Sequence, residues 1–126
     1  MPIIAIEYAA SIDLDTDRAD EIKEYTSMSV ATAFNCRDAN DLLINLKPED
    51  VTVFLDTYSK SARNAPRVMA NITAITYPDR MMNMRERLNA IKATLANHFR
   101  WYSSCVDLRD DEVSLYFRGV AENHWV

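Results

Sequence analysis

Two stretches of this chain read as long helices, and each is bracketed by runs that read as strands. That arrangement constrains the fold more than any single motif. In "PIIAIEY" (residues 2–8), Ile4 and Ile6 fall on one side while Ile3 and Ala5 keep the other side apolar, the pattern of an interior strand covered on both faces. "DLDTDRADEI" is acidic, as a helix start should be, because carboxylates are favoured at the positive end of the helix dipole. Ile22, Ser29, Val30, Ala33 and Phe34 follow at helical spacing, with Thr26 the weak point of the stripe, which predicts a helix over about residues 15–35. "VTVFLDTYSK" and "VMANITAITY" are β-branched, apolar strand candidates separated by the polar "SARNAPR". The second helix opens at Asp79, a suitable N-cap, and places Met81, Met84, Leu88, Ile91, Leu95 and Phe99 on one face. Methionines at that spacing read as core filler rather than as a ligand box. "CVDLRDDEVSLYFRG" is extended, as one strand or as two around Asp110-Asp111. Leu42, Leu43 and Leu46 suggest one extra helical turn, and Pro48 discourages helix at Lys47.

The order is therefore β-α-β-β-α-β, each half a strand, a helix and a strand. A helical crossover implies parallel strands within each half, and so an α+β fold with a four-stranded mixed sheet carrying both helices on one face. The 126 residues suit one domain, residues 1–126. So apolar a sheet needs a cover on its other face, and with no third layer in the chain a second copy is the expected source.

Composition removes several kinds of chemistry. Gly119 is the only glycine, which excludes the phosphate-binding loops and the nucleophile elbow that need glycine at a sharp backbone turn. Cys36 and Cys105 stand alone without a second ligand at metal spacing and read as reduced thiols, so no metal site is expected. His98 and His124 are the two histidines, and spacing alone neither pairs them with a cysteine nor forbids it. A net charge of −5 argues against nucleic acid. No segment is apolar and long enough to span a bilayer and no leader pattern is present, so the expected location is cytoplasmic. Charge is nonetheless uneven: residues 1–59 carry four Lys or Arg against twelve Asp or Glu, and residues 60–126 carry ten against seven. Lys60, Arg63, Arg67, Arg80, Arg85 and Arg87 could hold a small anion, or form a solvated basic face.

Pro2 has two readings. Proline has no N–H to give a sheet, so the first position of a strand accommodates it at little cost. Once Met1 is removed, it also carries a free secondary amine, a base whose strength its surroundings can tune.

"Pro-Ile-Ile" directly after Met1, the "KPEDVTV" lead-in to the second strand and the β-α-β-β-α-β order together resemble the tautomerase superfamily, which includes 4-oxalocrotonate tautomerase and macrophage migration inhibitory factor. "LDTY", "DR" ahead of a helix ending "ANHF", and the closing "LYFRGVAENHW" are similar to its 5-carboxymethyl-2-hydroxymuconate isomerase branch. The resemblance covers nearly the whole chain apart from an insertion around residues 38–46. It implies a homotrimer with sites between subunits and a cofactor-free isomerase acting on a small unsaturated keto or hydroxy acid, with Pro2 as general base and Arg80 binding the substrate carboxylate. Where the family often has an arginine in the second-strand lead-in this chain has Thr52, preceded by Glu49 and Asp50. Either Arg63 or Arg67 would then supply the cation, or the substrate would be a different one, or the chain would be a non-catalytic trimeric module on the same scaffold, binding a small anion or a partner protein.

Overall fold

The computed structural model describes residues 2–58, 65–102 and 107–121. Its elements are β1 (Ile3–Tyr8), α1 (Thr16–Phe34), β2 (Cys36–Arg37), β3 (Leu43–Ile44), β4 (Thr52–Thr57), β5 (Val68–Ile75), α2 (Pro78–Met81), α3 (Met84–Tyr102) and β6 (Val113–Val120). The main sheet runs β4-β1-β5-β6, with β1 parallel to β4, β5 parallel to β6, and the two halves joined by the antiparallel β1–β5 pair. This is the expected mixed sheet, with β1 in its interior.

One face of the sheet is sealed by helix. Ile4 and Ile6 of β1, Val68, Ala70, Ile72 and Ala74 of β5, and Val113 of β6 are buried, and they meet Ile22, Val30 and Phe34 of α1 and Ile91, Leu95 and Phe99 of α3 in one core. Each such aliphatic or aromatic side chain contributes about 1.5–3 kcal/mol of transfer free energy. Strand alternation sends the intervening residues to the opposite face. There the register forms three rows: Thr52–Ile3–Thr73–Arg118, Phe54–Ala5–Asn71–Tyr116 and Asp56–Glu7–Met69–Ser114. Among the described residues no helix covers these rows, and Phe54 and Tyr116 are 58% and 53% exposed.

The helices follow the amphipathic pattern with informative departures. Asp15 caps α1 by accepting the Arg18 N–H at 2.8 Å. Thr26 belongs to the core stripe after all, buried in step with Ile22, Val30 and Phe34 at four-residue intervals, its methyl serving where an aliphatic was expected. The expected helix from Asp79 is instead broken: the four-residue α2 ends at Met81, a turn covers residues 82–83, and α3 starts at Met84. Tyr77, not Asp79, occupies the N-cap of α2, because Pro78 takes the first helical position, and the Asp79 carboxylate accepts the Arg37 N–H at 2.6 Å. The break turns Met81 outward, while Met84 stays in the core.

The leucine-rich segment before Pro48 forms no helical turn. Asp38 accepts the Asn40 and Leu42 N–H groups through Oδ1, and Asp41 takes a positive φ of 63°, so the chain folds into the β2–β3 hairpin. Leu42 and Leu43 are exposed. The helical turn comes later, as a 3₁₀ turn over Pro48–Asp50, with proline in the position that needs no N–H donor. Asp110–Glu112 form a second 3₁₀ turn, so the described part of the last stretch gives one strand, β6.

The lone glycine is needed for close approach. At Gly119 a Cβ would lie 2.2 Å from Thr76 Cγ2, where β5 and β6 end together and the Thr76 N–H donates to the Val120 carbonyl at 3.0 Å.

Candidate active site

Pro2 is buried at the tip of β1, and its carbonyl accepts the Thr52 N–H at 3.0 Å, which fixes the start of β4 beside it. Continuing the β1–β5 register by one residue sets Pro2 across from Ala74. Because β1 begins at the end of the sheet where β5, β6 and α1 finish, four chain segments converge there: Pro2, Ile75, Val120 and the Phe34–Cys36 corner.

Arg80 fills that corner. Its side chain is 2% exposed. Nε and Nη2 donate to the Phe34 carbonyl at 3.0 and 2.9 Å, and Nη1 donates to the Ile75 carbonyl at 2.8 Å. The guanidinium carbon lies 5.2 Å from the Phe34 ring centroid and 5.1 Å from that of Tyr77, within cation–π range. Arg87 completes the arrangement, with Nη1 donating to the Ala33 and Asn35 carbonyls at 2.7 and 2.6 Å. The end of α1 has no basic residue in its last turn and no glycine to cap it, so its carbonyls take their donors from these two arginines. The negative end of the helix dipole favours the two cations there.

Cys36 lies against the same cluster. Burial pushes its thiol up, while Arg80 and Arg87 act in the other direction. Burial likewise pulls the Arg80 guanidinium below its ordinary value, with Cys36 and Tyr77 opposing. Among the described residues, no group of three or more His, Cys, Asp or Glu could hold a metal ion.

The other expected cations are dispersed. Arg67 precedes β5 at the far end of the sheet, where its carbonyl accepts the Ala9 N–H at 2.8 Å and its guanidinium pairs with Glu112 at 3.4 Å and Asp107 at 3.7 Å. Six residues of strand separate that end from Pro2, about 20 Å along β1. Arg63 and Lys60 lie outside the described residues, as do Cys105, His124 and Trp125. Among the described residues, Arg80 and Arg87 are the members of the expected set whose side chains the fold ties to the Pro2 end, and their donors there are directed mainly at backbone.

Arg118 was not singled out from the sequence. It stands on the open face in the row Ile3–Thr73–Arg118, beside the tip that carries Pro2. The strand pattern contained the clue: Val113, Leu115 and Phe117 alternate inward, so Arg118 must point outward at the end of a strand parallel to β5.

No family model matches the sequence, and no curated protein matches it. Solved structures do, and they define the class: the chain has the tautomerase fold. A fused 4-OT trimer superposes over 98% of this chain and 90% of its own with a TM-score of 0.68 at 7% identity. Pt0534 inactivated by 2-oxo-3-pentynoate matches over 98% and 89% with 0.65 at 15% identity. Macrophage migration inhibitory factor from Toxoplasma gondii matches over 98% and 94% with 0.67 at 12% identity.

Proposed function

We propose that the chain is a cofactor-independent tautomerase that moves a proton on a small unsaturated keto or hydroxy carboxylic acid, with Pro2 as general base. The observation that carries this reading is a buried proline at the tip of an interior strand in a tautomerase fold, at the end of the sheet where the buried Arg80 binds the last carbonyl of β5. With Met1 removed, the Pro2 amine starts from an α-amino value of about 7.7–8.0. Burial and the Arg80 and Arg87 charges both disfavour its protonated form, which leaves a base able to accept a proton near neutrality and return it at another carbon. In this reading Arg80 holds the strand and helix ends that frame Pro2 and contributes positive potential, and a contribution from Arg67 comes from a neighbouring copy.

The assembly is a homotrimer, as the fused 4-OT is a trimer. A second copy covers the open rows, where Phe54 and Tyr116 are exposed and the Tyr58 hydroxyl is buried without a hydrogen-bond partner among the described residues.

One observation favours a second reading, the non-catalytic trimeric module: Thr52 stands where the resemblance leads one to expect a cation, and the Arg80 donors point at backbone carbonyls. Ketonisation of phenylenolpyruvate and 2-hydroxymuconate by the wild type and Pro2→Ala separates the two. As a base, Pro2 should account for about 10²–10⁴-fold in rate. Equal rates in the two proteins remove Pro2 from the chemistry. Intact mass reports whether Met1 is gone, and mass mapping after 2-oxo-3-pentynoate treatment reports whether the Pro2 nitrogen is nucleophilic.

A further inference from the structure

We infer that the seam between α1 and α3 is a docking groove for an amphipathic helix of another protein, one with an apolar stripe and Lys or Arg at one end. The inference rests on these two helices and stands apart from the tautomerase reading.

One half of the seam is apolar. Tyr25, Met28 and Thr32 on α1 and Ala90, Thr94 and His98 on α3 line an open cavity of about 400 Å³, and no Asp, Glu, Lys or Arg is among its lining residues. On α1 these positions recur at three and four residues, on the flank of the buried stripe of Ile22, Thr26 and Val30. On α3 they recur at four, beside the buried Ile91 and Leu95. The sheet thus takes one flank of each helix, and the seam leaves the next flank open. The His98 ring stacks on Tyr25 at 4.8 Å between centroids and meets Trp101 at 5.9 Å, so three rings mark the end of this half.

The other half is acidic. Trp101 also lines a second cavity of about 400 Å³, together with Asp15, Asp17, Arg18 and Glu21. Arg18 pairs with Asp15 at 3.6 Å, so Asp17 and Glu21 set the sign of the field there. From Asp17 to Ala33 the seam follows about 16 residues of α1, or about 24 Å. A helix of equal length laid along it would set apolar side chains, three and four residues apart, into the first half and its end against the second.

Charge selects the occupant. The acidic half complements a basic helix end and repels an acidic one. A second copy is a poor fit, because the solvent face of α1 is acidic through Asp17, Glu21 and Glu24 while its apolar stripe is already buried in the core. An anionic lipid surface would be repelled by the same carboxylates. Met28 is 45% exposed and Trp101 64%, an adaptable thioether and an indole of the kind that anchor helical partners. Assembly through the open rows leaves the seam bare, since those rows lie on the other face of the sheet.

The test is fluorescence anisotropy with labelled synthetic peptides of about 16 residues, built of Ala, Gln and Leu with Leu at helical spacing and three Lys at one end. Counterparts carry Glu in place of Lys, or the same residues in scrambled order. The expected result is micromolar binding of the Lys peptide, about tenfold or more tighter than either counterpart. Met28→Gln and Trp101→Ala each weaken it about fivefold or more, while Met82→Gln, exposed but outside the seam, leaves it unchanged. Glu21→Lys weakens the Lys peptide and strengthens the Glu peptide. Unchanged circular dichroism melts show that these exposed substitutions remove binding and not the fold. Pro2→Ala binds the Lys peptide as the wild type does, whatever its effect on turnover. Absence of binding, equal affinity for the Lys and Glu peptides, or indifference to both Met28→Gln and Trp101→Ala overturns the inference. So does self-association in sedimentation, or binding to phosphatidylserine vesicles, that Met28→Gln abolishes, since either gives the seam to another occupant.

Discussion

Arg80 donates from Nε at 3.0 Å and from Nη2 at 2.9 Å to one oxygen, the carbonyl of Phe34, the last residue of α1. Its third group reaches the Ile75 carbonyl, the last residue of β5. A single side chain thus ties the end of a helix to the end of a strand far from it in sequence. Arg80→Ala should therefore lower stability by about 2–4 kcal/mol, since two buried carbonyls lose their donors. Urea unfolding would read this as a lower midpoint at an unchanged slope. An arginine whose task was only to meet a ligand would leave the midpoint where it is and change KM alone.

Gly119 should resist substitution for steric reasons. Gly119→Ala forces a methyl against Thr76 Cγ2, an overpacking penalty of about 1–3 kcal/mol, seen as a lower thermal midpoint. Thr76→Ser removes the opposing methyl, so the double variant should recover a good part of the loss. Purely additive losses would show that the contact is not the cause.

His98 gives the fold an acid sensitivity of known sign. Its ring stacks on Tyr25 at 4.8 Å between centroids and meets Trp101 edge-on at 5.9 Å, and burial pulls its pKa below the ordinary value of 6.5. A base depressed in the folded state binds fewer protons there than in the unfolded chain, so stability is full above about 6.5 and is lost as pH falls through the lowered folded value. His98→Gln should flatten the unfolding midpoint between about pH 7 and 5. Glu112 acts in a separate window: the Arg109 backbone N–H, and then Arg67, hold its carboxyl below the ordinary 4.5, so its contribution is lost only in stronger acid. An identical pH profile for wild type and His98→Gln would assign the sensitivity elsewhere.

Thr52→Arg would place a cation where the resemblance leads one to expect it. Affinity for the dicarboxylate cis,cis-muconate should rise by about tenfold or more, with a smaller change for the monocarboxylate 3-phenylpropionate. Calorimetry reads both, and no gain for the dicarboxylate would mean that position 52 does not face the anion.

The topology was legible in the sequence because it depends on period and order. Ile4 and Ile6 in β1 and Ile91, Leu95 and Phe99 in α3 mark their faces without reference to anything distant. What escaped was decided by partners remote in sequence. Asp79 looked like an N-cap, but Pro78 starts the helix one residue earlier and the Asp79 carboxylate serves the Arg37 N–H of the β2 hairpin. Thr26 looked like a gap in an apolar stripe, but it is buried in step with Ile22 and Val30. For the site, the proline at the strand tip was visible, whereas the use of Arg80 and the position of Arg118 required knowing which chain ends meet at one end of the sheet.

The place of β1 in the sheet also sets a timetable. Its neighbours begin only at Thr52 and Val68, so during synthesis the first strand emerges with nothing to pair against. At about 5–20 residues per second, that leaves several seconds in which the residues around Pro2 are an extended, unpaired segment within reach of a processing enzyme. After β5 arrives, Pro2 is buried. For a Pro2 that works as an amine, removal of Met1 is easiest in the interval before the sheet closes.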